Sequence, residues 1–505
     1  MKNINVHILN NSYILNLVSG LLCQFLTAIS GLILPNLILN TYGSVLNGLI
    51  STTTQLIAYL SLVEMGLSSA SLVALYKPMA EKDYDRASSI FASINLFYRK
   101  VSLFFCVGAI GIGFIIPFIL KDEIPLYTIL LVVLSLVGIN LTSYLLLNKY
   151  KALLQADDKI YVINFVHVVG IIIQFVLSVI LIKAACNISL VKGIIIFTNI
   201  IEWLLLYEYC RRKFPKITLY AKPAHDSIKQ RNDIIVHQVL SLILNNTDVV
   251  LLTVFSSSLA YVSVYSIYAM IALLLQNIAN CIISMFASKQ GQMYTIGDYE
   301  MVRSILNKYE AIYDIFLFCI YSCMDLLIMP FVSLYTKGIS DANYYVPLVG
   351  LLFSVYGISR MLRLPYTELT NAAGRFKETK IQAILEAAIN LAISILLVPK
   401  YGIPGVLVGS IAGEVYRTIH SYVYCYNHVL KFDYHRSIIL GMINTNMFVL
   451  LHYSFAFIRK SIICGYIELF VKAFIIFVVI LTLYIFVNLT VLKAYKSLKK
   501  FLGVK

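Results

Sequence analysis

Long polar segments are what this sequence lacks. Between its apolar stretches the longest polar run extends only from about Cys210 to Ile234, which leaves no room for a soluble catalytic domain. Charge is scarce too: 13% of residues are charged against 60% hydrophobic, so the chemistry has to take place between membrane helices. The nine cysteines (Cys23, Cys106, Cys186, Cys210, Cys281, Cys319, Cys323, Cys425, Cys464) are scattered, with no Cys-x-x-Cys pair and no histidine at metal spacing. That excludes a zinc or dithiol framework and leaves cysteines that pack helices. Acids are the scarcer charged type, and the net charge is +15. Basic residues of a membrane chain lie against anionic lipid headgroups. Nucleic acid is excluded as a partner, because the basic residues sit at alternate helix ends and no soluble basic domain exists to hold a strand.

What is present is a series of about fourteen apolar runs of membrane-crossing length. They fall near 13–40, 44–76, 101–120, 126–148, 161–182, 191–209, 235–256, 260–286, 313–335, 347–366, 380–398, 404–427, 438–457 and 465–490. None alternates with a two-residue period, so the expected fold is all-α and polytopic rather than a barrel. The first run is too long for a signal-peptide core and lacks a small-residue cleavage site, so it is expected to stay as a span. Of the 40 lysines and arginines, 32 lie at helix ends on the side of the N-terminus, 7 lie on the other side, and Lys472 falls inside the last span. Positive charge stays in the cytoplasm, which places both termini there.

Three landmarks recur. Asp83-Tyr84-Asp85 returns as Asp298-Tyr299-Glu300 after 215 residues, Pro117-Phe118 as Pro330-Phe331 after 213, and Tyr150/Leu153/Ala156 as Tyr366/Leu369/Ala372 after 216. Two six-helix bundles, 1–215 and 230–430, are therefore expected, with two further helices over 435–490 and a basic tail over 491–505. An even number of spans per repeat puts the pseudo-twofold axis along the membrane normal and the substrate in the cleft between bundles. The amphipathic stretches Tyr76–Lys100 and Gly291–Tyr309 are expected to lie on the inner leaflet. Asp83-x-Asp85 has the form of a metal and sugar-nucleotide motif, but no nucleotide-binding domain surrounds it, and no metal site is expected.

The runs YGSVLNGLISTTTQLIAYLSLVEMG (Tyr42 to Gly66), LYKPMAEKDYDRASSI (Leu75 to Ile90), INLFYRK (Ile94 to Lys100) and VPKYGIPGVLVGSIAGEVYRT (Val398 to Thr418) carry a family resemblance. Together they resemble bacterial polysaccharide flippases of the multidrug/oligosaccharidyl-lipid/polysaccharide exporter superfamily, over most of the chain and in order. The resemblance implies a carrier in the bacterial cytoplasmic membrane. Such a carrier moves an undecaprenyl-diphosphate-linked oligosaccharide from inner to outer leaflet by alternating access, with no cofactor and with a polysaccharide polymerase as its neighbour in the pathway.

A charge in hydrocarbon costs about 2.5–3.5 kcal/mol on insertion scales, so ionisable residues inside the spans are candidates for function. Glu64, Glu202, Asp248, Asp325, Glu386, Glu414 and Arg417 stand out. Arg360, Arg363 and Arg417 fall at the depth where a diphosphate headgroup needs cations, and the arginine fork matches its oxygens. Glu414 and Arg417, three residues apart, could instead neutralise one another. Glu64, Asp325 and Glu386 are the candidates for carrying a coupling cation, a proton or sodium, with Glu64 and Asp325 read as uncompensated acids. His167 reads as a packing histidine. Two rival functions share these features in part. An ion-coupled multidrug and toxin extrusion antiporter would suit twelve spans, and a membrane-embedded polymerase or ligase would need a long outward loop that the sequence does not contain.

Overall fold

Backbone N–H and C=O groups in a bilayer have no water to bond, so a chain this apolar must satisfy them within helices. The structure is a computed structural model that describes residues 11–501 apart from 65–66, 120–123, 219–220, 223–231, 257, 298, 376 and 431–434. Among the described residues there is helix and no strand. The protein is an all-α, multi-pass membrane protein. Eleven described helices are long and apolar enough to cross a membrane. Among them is most of α1 (Asn11–Leu60), which is really two helices. Gly43 breaks it at φ 80°, ψ 175°, a left-handed conformation that side chains avoid.

The chain divides into two units, Met1–Asn246 and Thr247–Lys505, with the division inside α8 (Asn232–Phe255) rather than in the polar run before it. The first unit holds α1, α2 (Leu67–Glu81), α3 (Tyr84–Ile119), α4 (Leu126–Thr142), α5 (Asn148–Ala156), α6 (Ile160–Lys183) and α7 (Ile188–Lys213). A π-helical turn, Ser143–Leu147, joins α4 to α5. The first half of α1 runs parallel to α6: Asn16 reaches Asp158 at 3.1 Å, Asn164 reaches Ser19 at 3.1 Å, and Tyr42 donates to the Cys186 carbonyl at 2.5 Å. α4 likewise runs parallel to α7, with Asn199 donating to Thr142 at 2.8 Å and Ser135 to the Ser189 carbonyl at 3.0 Å. α3 is antiparallel to this pair, Phe105 lying edge-on to Tyr144 and Phe91 to Tyr150. Parallel neighbours two or four spans apart are what alternate crossings produce. The outward face of α3 is apolar at helical spacing, with Leu103, Val107, Ile110 and Phe114 all exposed, as a lipid-facing stripe should be.

The second unit contains α9 (Leu259–Ile296), α10 (Tyr299–Tyr335), α11 (Pro347–Leu362), α12 (Leu364–Ala372), α13 (Lys380–Tyr401), α14 (Ile403–Tyr424), α15 (His435–Ser454), α16 (Ala456–Arg459) and α17 (Tyr466–Phe501). It repeats the element plan of the first. α5 and α12 are both nine residues long and start 216 residues apart, and α3 and α10 start 215 apart. α10 is its core: Tyr309, Tyr313, Leu317, Tyr321 and Val332 are fully buried. Tyr313 donates to the Met361 carbonyl of α11 at 3.0 Å, and Ser322 pairs with Tyr484 of α17 at 3.0 Å.

The amphipathic stretches expected on the inner leaflet are continuous with the spans beside them. Tyr76–Lys100 is the end of α2 and the start of α3, turning at Lys82 and Asp83, while 291–309 is the end of α9 and the start of α10, turning at Gly297 (φ 85°). Asp83 accepts from the Arg86 N–H at 3.0 Å, so it caps α3. Asp298 lies outside the described residues. The expected span 44–76 is also shorter, since α1 ends at Leu60 and a 3₁₀ turn, Ser61–Glu64, follows.

Candidate functional site

The densest polar cluster of the second unit starts from how α13 and α14 meet. Gly402 (φ 59°) turns the chain between them, and Gly405, Gly409 and Gly413 then present three successive gaps four residues apart. A methyl group on Gly409 would lie 2.1 Å from Ser394 Oγ and 2.7 Å from its backbone nitrogen, so only glycine allows this approach. Lipid supplies no hydrophobic force between helices, and such close packing takes its place. It sets Glu386 of α13 beside Glu414 and Arg417 of α14, all three buried.

α11 adds Arg360 and Arg363. Arg363 straddles both acids: its Nη1 is 3.0 Å from Glu386 Oε1 and its Nη2 is 3.1 Å from Glu414 Oε2. Arg360 Nε lies 3.8 Å from Glu414 Oε1, and its Nη1 donates to Tyr356 at 2.5 Å. Arg417 Nε lies 3.6 Å from Glu386 Oε2, and its Nη1 donates to the Thr379 carbonyl at 3.1 Å. The structure thus gathers Arg360, Arg363, Arg417 and Glu386 into one network. Glu414 and Arg417 do not neutralise one another as their spacing suggested, because each points to a partner on another helix.

Three guanidinium groups face two carboxylates, with a third, Asp248, close by. Two buried donors, Arg363 Nε and Arg417 Nε, and two buried acceptors, Glu386 Oε1 and Glu414 Oε2, have no hydrogen-bond partner. The free guanidinium edges are of the kind that takes an anion in fork geometry. Asp248 of α8 lies near the network, its carboxylate accepting from Tyr265 at 2.9 Å and from Ser410 at 3.0 Å, and Asn390 donates to Ser410 at 3.0 Å.

α11 and α14 also wall an open apolar groove of about 530 Å³, formed together with α10 and α15 and lined by Phe318, Val355, Val415, Phe448, His452 and Tyr453 among others.

The remaining predicted acids have partners of their own. Asp325 of α10 is not uncompensated: His452 Nδ1 is 2.8 Å away and Arg459 Nη1 is 3.1 Å away. Glu64 accepts from Asn148 at 3.2 Å and meets the hydroxyls of Tyr98 and Tyr144. Glu202 pairs with His167 at 2.9 Å, which gives that histidine a partner beyond packing. Among the described residues no group of three or more His, Cys, Asp or Glu could hold a metal ion.

Sequence reasoning missed Glu310 and Asp314, both buried near the start of α10. Glu310 meets Arg436 of α15 at 3.7 Å and accepts from the Tyr366 hydroxyl. They follow a charged run, Arg303 to Lys308, that reads as a solvated face, and only the length of α10 puts them inside. Lys149 of α5, also buried, bonds to Asn95 at 2.9 Å.

No protein-family model and no curated protein sequence matches the chain. Solved structures do. The structure of the lipid II flippase MurJ in an inward closed conformation matches with a TM-score of 0.60 at 14% identity, covering 93% of this chain and 98% of that one. An inward-facing multidrug resistance MATE family transporter of the MOP superfamily matches with a TM-score of 0.59 at 12% identity, covering 82% and 98%. The MATE transporter VcmN of Vibrio cholerae in its bent form matches with a TM-score of 0.52 at 13% identity, covering 83% and 98%. The fold of this chain is the one these transporters share.

Proposed function

We propose that this protein is a flippase of the bacterial cytoplasmic membrane, with both termini in the cytoplasm. It carries an undecaprenyl-diphosphate-linked oligosaccharide repeat unit from the inner to the outer leaflet by alternating access, for surface polysaccharide biosynthesis. The observation that carries this reading is the buried arginine cluster. Three arginines gather there, and Arg363 Nε and Arg417 Nε are buried donors without hydrogen-bond partners. A diphosphate supplies acceptors for those donors. A soluble cationic drug supplies none, which weighs against the antiporter reading. The groove on the same two helices suits an isoprenoid chain, being almost wholly apolar along α11 and α14. The likeness to the lipid II flippase also reaches further along this chain than the likeness to the MATE transporter, 93% against 82%. Of the proposed coupling residues Glu64, Asp325 and Glu386, Glu386 is placed to sense the headgroup directly, since it shares Arg363 and Arg417 with it.

Deleting the gene and locating lipid-linked oligosaccharide tests the proposal. Complete repeat units are expected to accumulate on the cytoplasmic face. Units that reach the outer face and stay unpolymerised would identify a polymerase instead, and an unchanged lipid pool with lost drug resistance would identify the antiporter. Complementation sharpens the site. Arg417→Lys keeps the charge but loses the fork, so transport per molecule should fall nearly as far as in Arg417→Ala. Equal loss of abundance in Arg417→Ala and Glu414→Ala, with normal transport per molecule, would remove Arg417 from the headgroup site.

A further inference from the structure

His452 stands near the end of α15 and lines the groove. Its Nδ1 has two neighbours that ask opposite things of it. Asp325 Oδ2, from α10, is 2.8 Å away and calls for a donor. Arg459 Nη1, from α16, is 2.7 Å away and calls for an acceptor. An imidazole nitrogen offers either a lone pair or an N–H, never both. Arg459 Nη1 also lies 3.1 Å from the same carboxylate oxygen, so atoms of three helices meet in one triangle. The side chains are largely buried, at 3% exposure for Asp325, 18% for His452 and 17% for Arg459, and Asp325 Oδ1 has no hydrogen-bond partner.

The other groups around the triangle do not resolve this competition. On α15 the ring of Tyr453 stands edge-on to His452 at 5.1 Å. On α17 the Tyr484 hydroxyl is taken by Ser322, and on α9 the Tyr268 hydroxyl reaches Met329, one turn past Asp325. α11 and α14 contribute Ser359, Thr418 and apolar chains to the groove wall, and no charged side chain.

We infer that Asp325, His452 and Arg459 form a proton-binding site in which proton uptake by His452 transfers its Nδ1 from Arg459 to Asp325. In the neutral Nε2–H tautomer, Nδ1 accepts from Arg459 and holds α16 against α15, with the carboxylate lone pairs pressed against its own. With the proton, the imidazolium donates to Asp325 and repels the guanidinium, so α16 loses its tie to α15 and keeps only the Arg459–Asp325 contact, while α15 is held to α10. Imidazole is the side chain that exchanges protons in the physiological range, and the His452 side chain is 18% exposed. Only an N–H bond is made, and the proton comes from solution. This deepens the carrier reading by making a proton the coupling ion, and it rests on that reading only for the use to which the proton is put.

Hydrogen exchange of the full chain in lipid nanodiscs, read by mass spectrometry on the segment 455–463 and corrected for intrinsic rates, tests the site without any substrate. Between pH 8 and pH 5.5 the protection of this segment should fall by roughly tenfold in the wild type. It should stay pH-independent in His452→Gln and be low at both pH values in Arg459→Gln. Exchanging sodium for potassium at constant pH should change nothing. Flat protection in the wild type, or a pH response that survives in His452→Gln, would overturn the proposal. Segments from α13 and α14 serve as the folding control. If His452→Gln loses their protection, His452→Asn takes its place, since it too takes no proton and the exchange should again be pH-independent. A pH response with no lipid phenotype on gene deletion would keep the proton site and remove the flippase.

Discussion

The two units follow one sequence of helices and treat buried charge differently. In the first, Glu202 meets an imidazole, Glu64 meets an amide and two phenols, and Lys149 meets an amide. In the second, Glu310, Asp325, Glu386 and Glu414 each face at least one arginine drawn from another helix. A guanidinium holds its charge at any working pH, whereas an imidazole or phenol does not fix a neighbouring carboxylate in its ionised form. The second unit therefore sets most of its buried acids against permanent positive charges, and the first does not. Repetition of a fold has not meant repetition of its electrostatics.

Five substitutions test this contrast. Arg363→Ala leaves Glu386 and Glu414 without their shared partner, and breaking a buried ion pair costs about 3–5 kcal/mol. It should give the largest fall in thermal stability in detergent, and a change under 1 kcal/mol would mean that the network is solvated. Gly409→Ala drives a methyl group into Ser394 and should cost about 1–3 kcal/mol. Gly441→Ala in α15, where nothing lies within 4 Å, should be neutral or slightly stabilising. In the first unit, Glu202→Gln keeps the shape and one hydrogen bond to His167, so a loss of about 1 kcal/mol is expected. A loss matching that of Arg363→Ala would erase the difference between the units. The surface pair Arg375–Glu378 should matter least. The Arg375 hydrogen bond, aided by its charge, holds the Glu378 carboxyl below the usual range. Any stabilisation would be present above the ordinary carboxylate pKa and lost as pH falls through the lowered one. The pair is fully exposed, so Glu378→Gln should leave the melting temperature unchanged at neutral and acid pH alike.

Much of this was legible in the residues. The break at Gly43 falls in the gap expected between the first two spans, and the recurrence of Tyr150 as Tyr366 anticipated the matching helices α5 and α12. Counting along the helices put Arg360, Arg417 and Glu386 at a similar depth with Arg363 one turn below, and the four do meet in one network. Partner choice was not legible. Spacing along one helix suggested Glu414 with Arg417, but each side chain found a better-placed opposite charge on a neighbouring helix. Asp325 seemed alone because its partner Arg459 is 134 residues away and reads as a loop charge. α14 and α15, with 22 and 20 residues, are long enough to cross but carry polar faces, and in both cases those faces turned out to be where the chemistry gathers.

The glycine contacts between α13 and α14 have a mechanical meaning. Two helices meshed at three successive gaps cannot easily slide past one another, so Glu386 and Glu414 keep a fixed separation, like marks on a ruler. Arg363 on α11 is read against those marks. A shift of α11 along the pair by one helical turn, about 5.4 Å, must hand Arg363 from sharing two acids to holding one or none. Intermediate positions would leave a buried charge unmatched, so any such shift would have to be taken in whole steps.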